Sequence, residues 1–250
     1  MTIALDAVVI AAFLAFCRIG GCFLMMPGLS SVRVPVQIRL FVAVAVTAGL
    51  LVHLWDRIAP FVDRRPVILI PMIVSELAIG MLIGLMARIY TLALQFIGSG
   101  IAMMIGYGGM ASPGLEEAEP QATLATIISF SALLLLFVFD FHHEILKALV
   151  TSYDVAPISG FFNPQAALVD VADTMSEAFF VMVRLGSPFI AYAILVNLGI
   201  GFVNKLTPQV PVYFISMPFV IAGGLLILYL GAPILLSLFA DGFSATTISR

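Results

Sequence analysis

Charge is what this sequence has least of. Of 250 residues only 10% are charged, 14 acidic against 11 basic, where an ordinary soluble domain carries roughly 25%. The net charge of −3 provides no basic field to draw in phosphate backbones, which excludes a nucleic-acid binder. Cysteine is almost missing too. Cys17 and Cys22 stand five apart in an apolar stretch, with no CxxC and no histidine nearby, so two buried thiols are expected in place of a disulfide or a metal site. No segment alternates apolar and polar residues with period two, which excludes a β-barrel. No repeat relates the two halves and polar residues are few, so a self-contained secondary transporter lacks its usual signature.

What fills the chain is apolar. Hydrophobic residues make up 62% and the mean hydropathy is +1.17, an excess that no core of this size can hide from water. The chain is read as embedded in a membrane. Its first residues, Met1 to Asp6, carry an acid where a cleaved signal needs Lys or Arg, and Phe16 is too bulky for a lipoprotein cleavage box before Cys17. The segment is therefore expected to be retained.

A spanning helix needs about 20 apolar residues to cross roughly 30 Å of hydrocarbon. The uncharged runs group into six hydrophobic blocks, about 5–27, 38–55, 67–105, 122–150, 174–203 and 212–240. The fold class expected is an all-α membrane protein of kinked helices and helical hairpins. The third block is too long for one span and is expected to bend or fold back near Arg88. The sixth contains Pro218 and Pro233, each removing a backbone bond, so a kinked or split helix is expected. Pro208 and Pro211 break the chain just before it. Six spans would put Arg33, Arg39 and Lys205 on one side and Arg57, Arg64, Arg65, Lys147 and Arg250 on the other, a bias too small to fix orientation.

The most unusual stretch is Gly98 to Gln121, GSGIAMMIGYGGMASPGLEEAEPQ. Its glycines permit backbone angles closed to other residues, and its methionines pack into changing shapes. It suits a deformable closure over a pore, though an ordinary solvent-side loop capped by glycine is the commoner use of such residues. Ile105-Gly106-Tyr107-Gly108 echoes a potassium-channel filter, but Met104 stands where that filter needs threonine.

Arg18, Glu76, Arg88 and Arg184 are charges within apolar blocks, and such charges face protein or water and have a partner. Snorkelling at a membrane edge is the other reading for Arg18 and Arg184. On one straight helix Glu76 and Arg88 would lie about 18 Å apart and about 120° around the axis, so their partners come from other helices or other chains. Gly80 and Gly84 form a GxxxG that lets another backbone approach. Asp140, His142, His143 and Glu144 end the fourth block. Adjacent histidines diverge by about 100° on a helix and make a poor chelate, so an interfacial polar cap is expected there. No Ser/His/Asp or Cys/His arrangement is visible, and no enzyme is expected.

Taken in order, these landmarks resemble the FliR family of flagellar type III export-gate membrane proteins. Arg18-Ile19-Gly20-Gly21, Pro27, Val34-Pro35 and Arg39 fit its N-terminal part, and Glu76, Leu77, Ile79, Gly80 and Gly84 its Glu-Leu-x-Ile-Gly-x-x-x-Gly region. The loop at 106–114 matches in position its glycine-rich stretch, and is followed by Pro120. Phe137 to His143, then Ala148-Leu149-Val150, Ser152-Tyr153 and Pro157, look like its next segment. Pro188, Asn197-Leu198-Gly199, Gly201, Asn204-Lys205, Pro208-Gln209 and Met217-Pro218 resemble its C-terminal signature. Ser112 stands where many relatives carry Asp, Lys205 where many carry Arg, and Asp140-Phe141 where Asn-Gly is common.

The resemblance implies a non-enzymatic subunit, without cofactor or metal, of the gate through which unfolded flagellar proteins leave the cell. The subunit would lie in the bacterial inner membrane at the flagellar basal body. It implies assembly among membrane lipids with FliP-like and FliQ-like subunits and then FlhB and FlhA. The chain itself would be one membrane domain similar to a FliP-like part (1–184) fused to a FliQ-like part (185–250). The 106–120 loop would be a lumenal plug, with Met103, Met104, Gly106, Gly108, Gly109, Met110, Pro113 and Pro120 as its sealing and hinging residues. Arg18, Glu76, Arg88, Arg184, Asn204, Lys205 and Gln209 would make polar contacts between subunits. The alternatives are a subunit of a virulence-type injectisome and an independent channel or transporter.

Overall fold

Proline sets most of the helix starts. Its missing N–H costs nothing in a first turn, where that donor has no intrahelical partner, and its fixed φ suits the helix. In the computed structural model, which describes residues 5–31, 34–62, 65–106 and 120–248, the helices are α1 (Leu5–Met25), α2 (Val36–Ile58), α3 (Pro66–Met104), α4 (Pro120–Val138), α5 (Phe141–Val155), α6 (Pro164–Leu206) and α7 (Val212–Ile248). Three begin on a proline, and α2 and α7 directly follow Pro35 and Pro211. A 3₁₀ turn at Ala59–Phe61 extends α2. No strand occurs among the described residues.

Among the described residues five helices are long and apolar enough to cross a membrane, or six spans if α4 and α5 together count as one. The chain is an integral, all-α membrane protein, and each of the six blocks has its counterpart in these helices. One block breaks where no break was expected, and two long blocks stay undivided. The third block does not fold back: α3 runs unbroken through Arg88 for 39 residues, because a charge disturbs no backbone hydrogen bond and arginine is a good helix former. The sixth block is not split either, since α7 keeps Pro218 and Pro233 within one helix. The fourth block does break, at Asp140, whose backbone is left-handed (φ 55°, ψ 29°).

The sixth helix also starts ten residues before the fifth block. Asn163 explains this: its Oδ1 accepts hydrogen bonds from the N–H groups of Gln165 (3.1 Å) and Ala166 (3.4 Å), an N-cap followed by proline at the first helical position.

The chain divides into two compact units, and α3 and α6 each contribute to both. The first holds 1–90, 140–175 and 245–250, the second 91–139 and 176–244. In the first, Ala11, Leu14 and Ala15 of α1 pack with Leu54 and Ile58 of α2, Met72 of α3, Tyr153 of α5 and Ile158. The GxxxG of α3 lies against α1. A Cβ on Gly80 would collide with the Arg18 carbonyl oxygen, and one on Gly84 with that of Cys22. In the second unit α6 and α7 form a hairpin across 207–211. The Tyr192 hydroxyl donates to the Val220 carbonyl at 2.7 Å, and Ile105, at the end of α3, fills the space above Gly224.

Candidate functional site

The register of α1 decides where its one interior cation goes. Leu14, Ala15, Arg18 and Cys22 follow the 3–4 spacing of one helix face, and all four are fully buried. Arg18 thus projects into the first unit, where α3 presents Glu76, itself 1% exposed. The guanidinium grips the carboxylate with both ends: Nε donates to Oε2 and Nη2 to Oε1, each at 2.7 Å. Nη1 donates to Ser152 Oγ (2.9 Å) and Nη2 also to the Ala156 carbonyl (2.9 Å). The Tyr153 ring lies 3.8 Å beneath the guanidinium carbon, a cation–π contact strengthened by the lack of water.

Three helices and the loop after α5 therefore meet at one arginine. A bidentate pair with two further donors occupied is a form in which a charge can stay buried. Next to it, the Ser75 hydroxyl accepts from the N–H of Phe162 (2.8 Å), tying the same loop to α3. Arg57, near the end of α2, donates to the Val150 carbonyl (2.8 Å) and meets Asp154 Oδ2 at 3.1 Å. Beside the cluster opens a cavity of about 500 Å³, with Ile79, Ile83 and Met86 of α3 on one wall and Ser152, Val155 and Phe161 on another.

Arg18 does not snorkel, and the partners of Arg18 and Glu76 lie within this chain. Ser152, Tyr153 and the Ala156 carbonyl were not visible as site groups in the sequence. Their signal would have been a demand by Arg18 for acceptors beyond one carboxylate, which names no position. The other expected contact residues differ in their exposure. Arg88 is half-buried on α3, Arg184 is exposed on α6, and Asn204, Lys205 and Gln209 are exposed around the end of α6.

The second candidate region is the far end of α3. Met103 is 64% exposed and Met104 half-buried. Gly106 closes the helix with φ +79°, its N–H donating to the Met103 carbonyl at 3.1 Å, a left-handed cap that glycine adopts without strain. Pro120 opens α4. Gly108, Gly109, Met110 and Pro113 lie outside the described residues, as do Tyr107 and the rest of 107–119.

Comparison with known proteins follows the same end-to-end order as the helices. The model of a family described as bacterial export proteins, family 1, matches residues 9–246. The flagellar biosynthetic protein FliR of Caulobacter vibrioides is 27% identical over 89% of this chain and 88% of its own. That of Aquifex aeolicus is 28% identical over 90% and 86% respectively. The Yop proteins translocation protein T of Yersinia pestis is 25% identical over 85% of this chain and 82% of its own.

Proposed function

Because the chain belongs to the bacterial export proteins, family 1, we propose that it is a subunit of a flagellar type III protein export gate, forming the secretion pore with FliP-like and FliQ-like subunits. The observation that carries this reading is the match to FliR proteins along nearly the whole of both chains. The gate would sit in the bacterial inner membrane at the flagellar basal body, engage FlhB and FlhA, and pass unfolded flagellar proteins. Its work would be conduction and closure, not catalysis.

Two physical features support an assembled state. At 1.5 Å per residue, the 43 residues of α6 extend about 64 Å, twice the hydrocarbon thickness, so much of the helix needs cover other than lipid. Half of the α1 span is buried within the chain but only 11% of the α7 span. Exposed Phe214, Phe219, Tyr229 and Leu230 on α7 thus await lipid or neighbouring subunits. In this reading residues 185–250 are the FliQ-like part and 1–184 the FliP-like part. The loop after Gly106 is the plug, and Arg88, Arg184, Asn204, Lys205 and Gln209 make contacts between subunits. Arg18 and Glu76 would support such contacts from inside the chain.

The match to the Yersinia protein favours, as a second reading, the injectisome form of the same gate. Native mass spectrometry of the tagged chain, extracted in mild detergent from its own cells, separates the possibilities. One copy bound to FliP- and FliQ-like chains is expected. Virulence-type partners would select the second reading, and a lone homo-oligomer would overturn both in favour of an independent channel.

A further inference from the structure

The break between α4 and α5 turns three side chains that are close in the sequence toward one another. Asp140 is the sole non-glycine residue with positive φ among the described residues. It holds the N-cap position of α5 yet makes no side-chain capping bond, although an N-cap aspartate ordinarily accepts from the N–H groups of the first turn. Its carboxylate is turned instead to two imidazoles. Asp140 Oδ1 lies 3.5 Å from His143 Nδ1 and 3.9 Å from His142 Nε2. The two rings are stacked obliquely, with centroids 4.3 Å apart.

We propose that Asp140, His142 and His143 form a binding site for a divalent first-row transition-metal ion of the Zn²⁺ type. The three ligand atoms all lie within 4.8 Å of one another. An ion with bonds of about 2.0–2.2 Å to imidazole and carboxylate needs ligands roughly 3.3 Å apart in tetrahedral geometry. The Asp140–His143 pair is already near that separation. The remaining closure is about 0.6 Å between Asp140 and His142 and at most about 1.5 Å between the two imidazoles, within reach of χ rotation, since none of the three side chains is buried. The divergence of neighbouring histidines is offset because one imidazole uses its far nitrogen and the other its near one. Glu144 does not compete, because it is held by Lys147 at 2.7 Å. Two imidazoles and a carboxylate suit zinc, nickel, copper and cobalt over magnesium or calcium. Three protein ligands leave at least one position for water or a further ligand.

The test uses the full chain in mild detergent, with a purification tag free of histidine, stripped by chelator and titrated with Zn²⁺ in a calorimeter. Co²⁺ serves as the optical probe of nitrogen and oxygen ligation. One Zn²⁺ per chain is expected, together with a rise in the thermal midpoint, as for any ligand that binds the folded state alone. Asp140→Asn should weaken binding at least tenfold while keeping the backbone, because asparagine tolerates the left-handed region. His143→Ala should do the same. His53→Ala removes the one remaining histidine and should leave affinity unchanged. Metal-free midpoints equal to wild type would show that the variants fold. If a variant's midpoint falls, the His143 imidazole resonances of the wild type supply the readout, which must shift on adding Zn²⁺. Equal Zn²⁺ affinity in wild type, Asp140→Asn and His143→Ala, or no saturable binding by the wild type below about 100 µM, overturns the site.

Discussion

Arg18 and Glu76 show how a membrane chain keeps full charges away from both water and lipid. Removing one partner of a buried pair leaves the other uncompensated and costs about 3–5 kcal/mol, whereas replacing both by apolar residues of similar volume is often neutral or stabilising. Glu76→Leu alone is therefore expected to destabilise the first unit by about that amount, and Arg18→Met with Glu76→Leu to restore most of it. Cys17 and Cys22 are buried free thiols on α1, so a thiol-reactive dye reports the opening of this unit on heating. Unchanged labelling temperature in the single variant would count against the pair's role. The sequence marked both residues as charges in need of partners. It could not pair them, because 58 positions separate them and α1 is apolar on every side, which hides the face that carries Arg18. The Ala156 acceptor is a backbone carbonyl, which every residue has.

Among the elements, glycine has opposite meanings in α3 and α6. A methyl group on Gly80 would strike the Arg18 carbonyl, while Gly199 has nothing within 4 Å of its Cβ position. Gly80→Ala should lower the thermal midpoint, since an overpacked helix contact loses about 1–3 kcal/mol. Gly199→Ala should hold or raise it, because alanine favours an exposed helix interior over glycine by about 1 kcal/mol. The same sign for both would mean that the α1–α3 contact does not depend on close approach. The GxxxG spacing was legible; that its partner is α1 was not. The six blocks were legible because apolar length is a strong signal. The break at Asp140 was not, since Phe139 and Phe141 continue the apolar run on either side and left-handed aspartate leaves no mark. The early start of α6 was readable in Asn163-Pro164 but was followed by Asp170 and Asp173 in the second and third turns, which the search for apolar length passed over.

For the whole molecule, the all-α membrane class followed from composition, long uncharged runs and the lack of period-two alternation, while orientation did not, because the few basic residues are spread over both sets of loops. The proposed plug is tested where it would act. Gly108→Leu with Gly109→Leu should alter protein export or ion leakage through the assembled gate, and wild-type secretion together with wild-type conductance would sink the plug. The bidentate pair has a further consequence, which concerns the order in which the chain is made. Arg18 leaves the ribosome 58 residues ahead of Glu76 and 134 ahead of Ser152. At about 5–20 residues per second, that is a wait of roughly 3–12 s for the counter-charge alone. During it, an unmatched arginine opposes partition into lipid by ~2.5–3.5 kcal/mol. Synthesis and commitment to the bilayer thus run in different orders: α1 is translated ahead of α3 yet secured only after α3 has arrived.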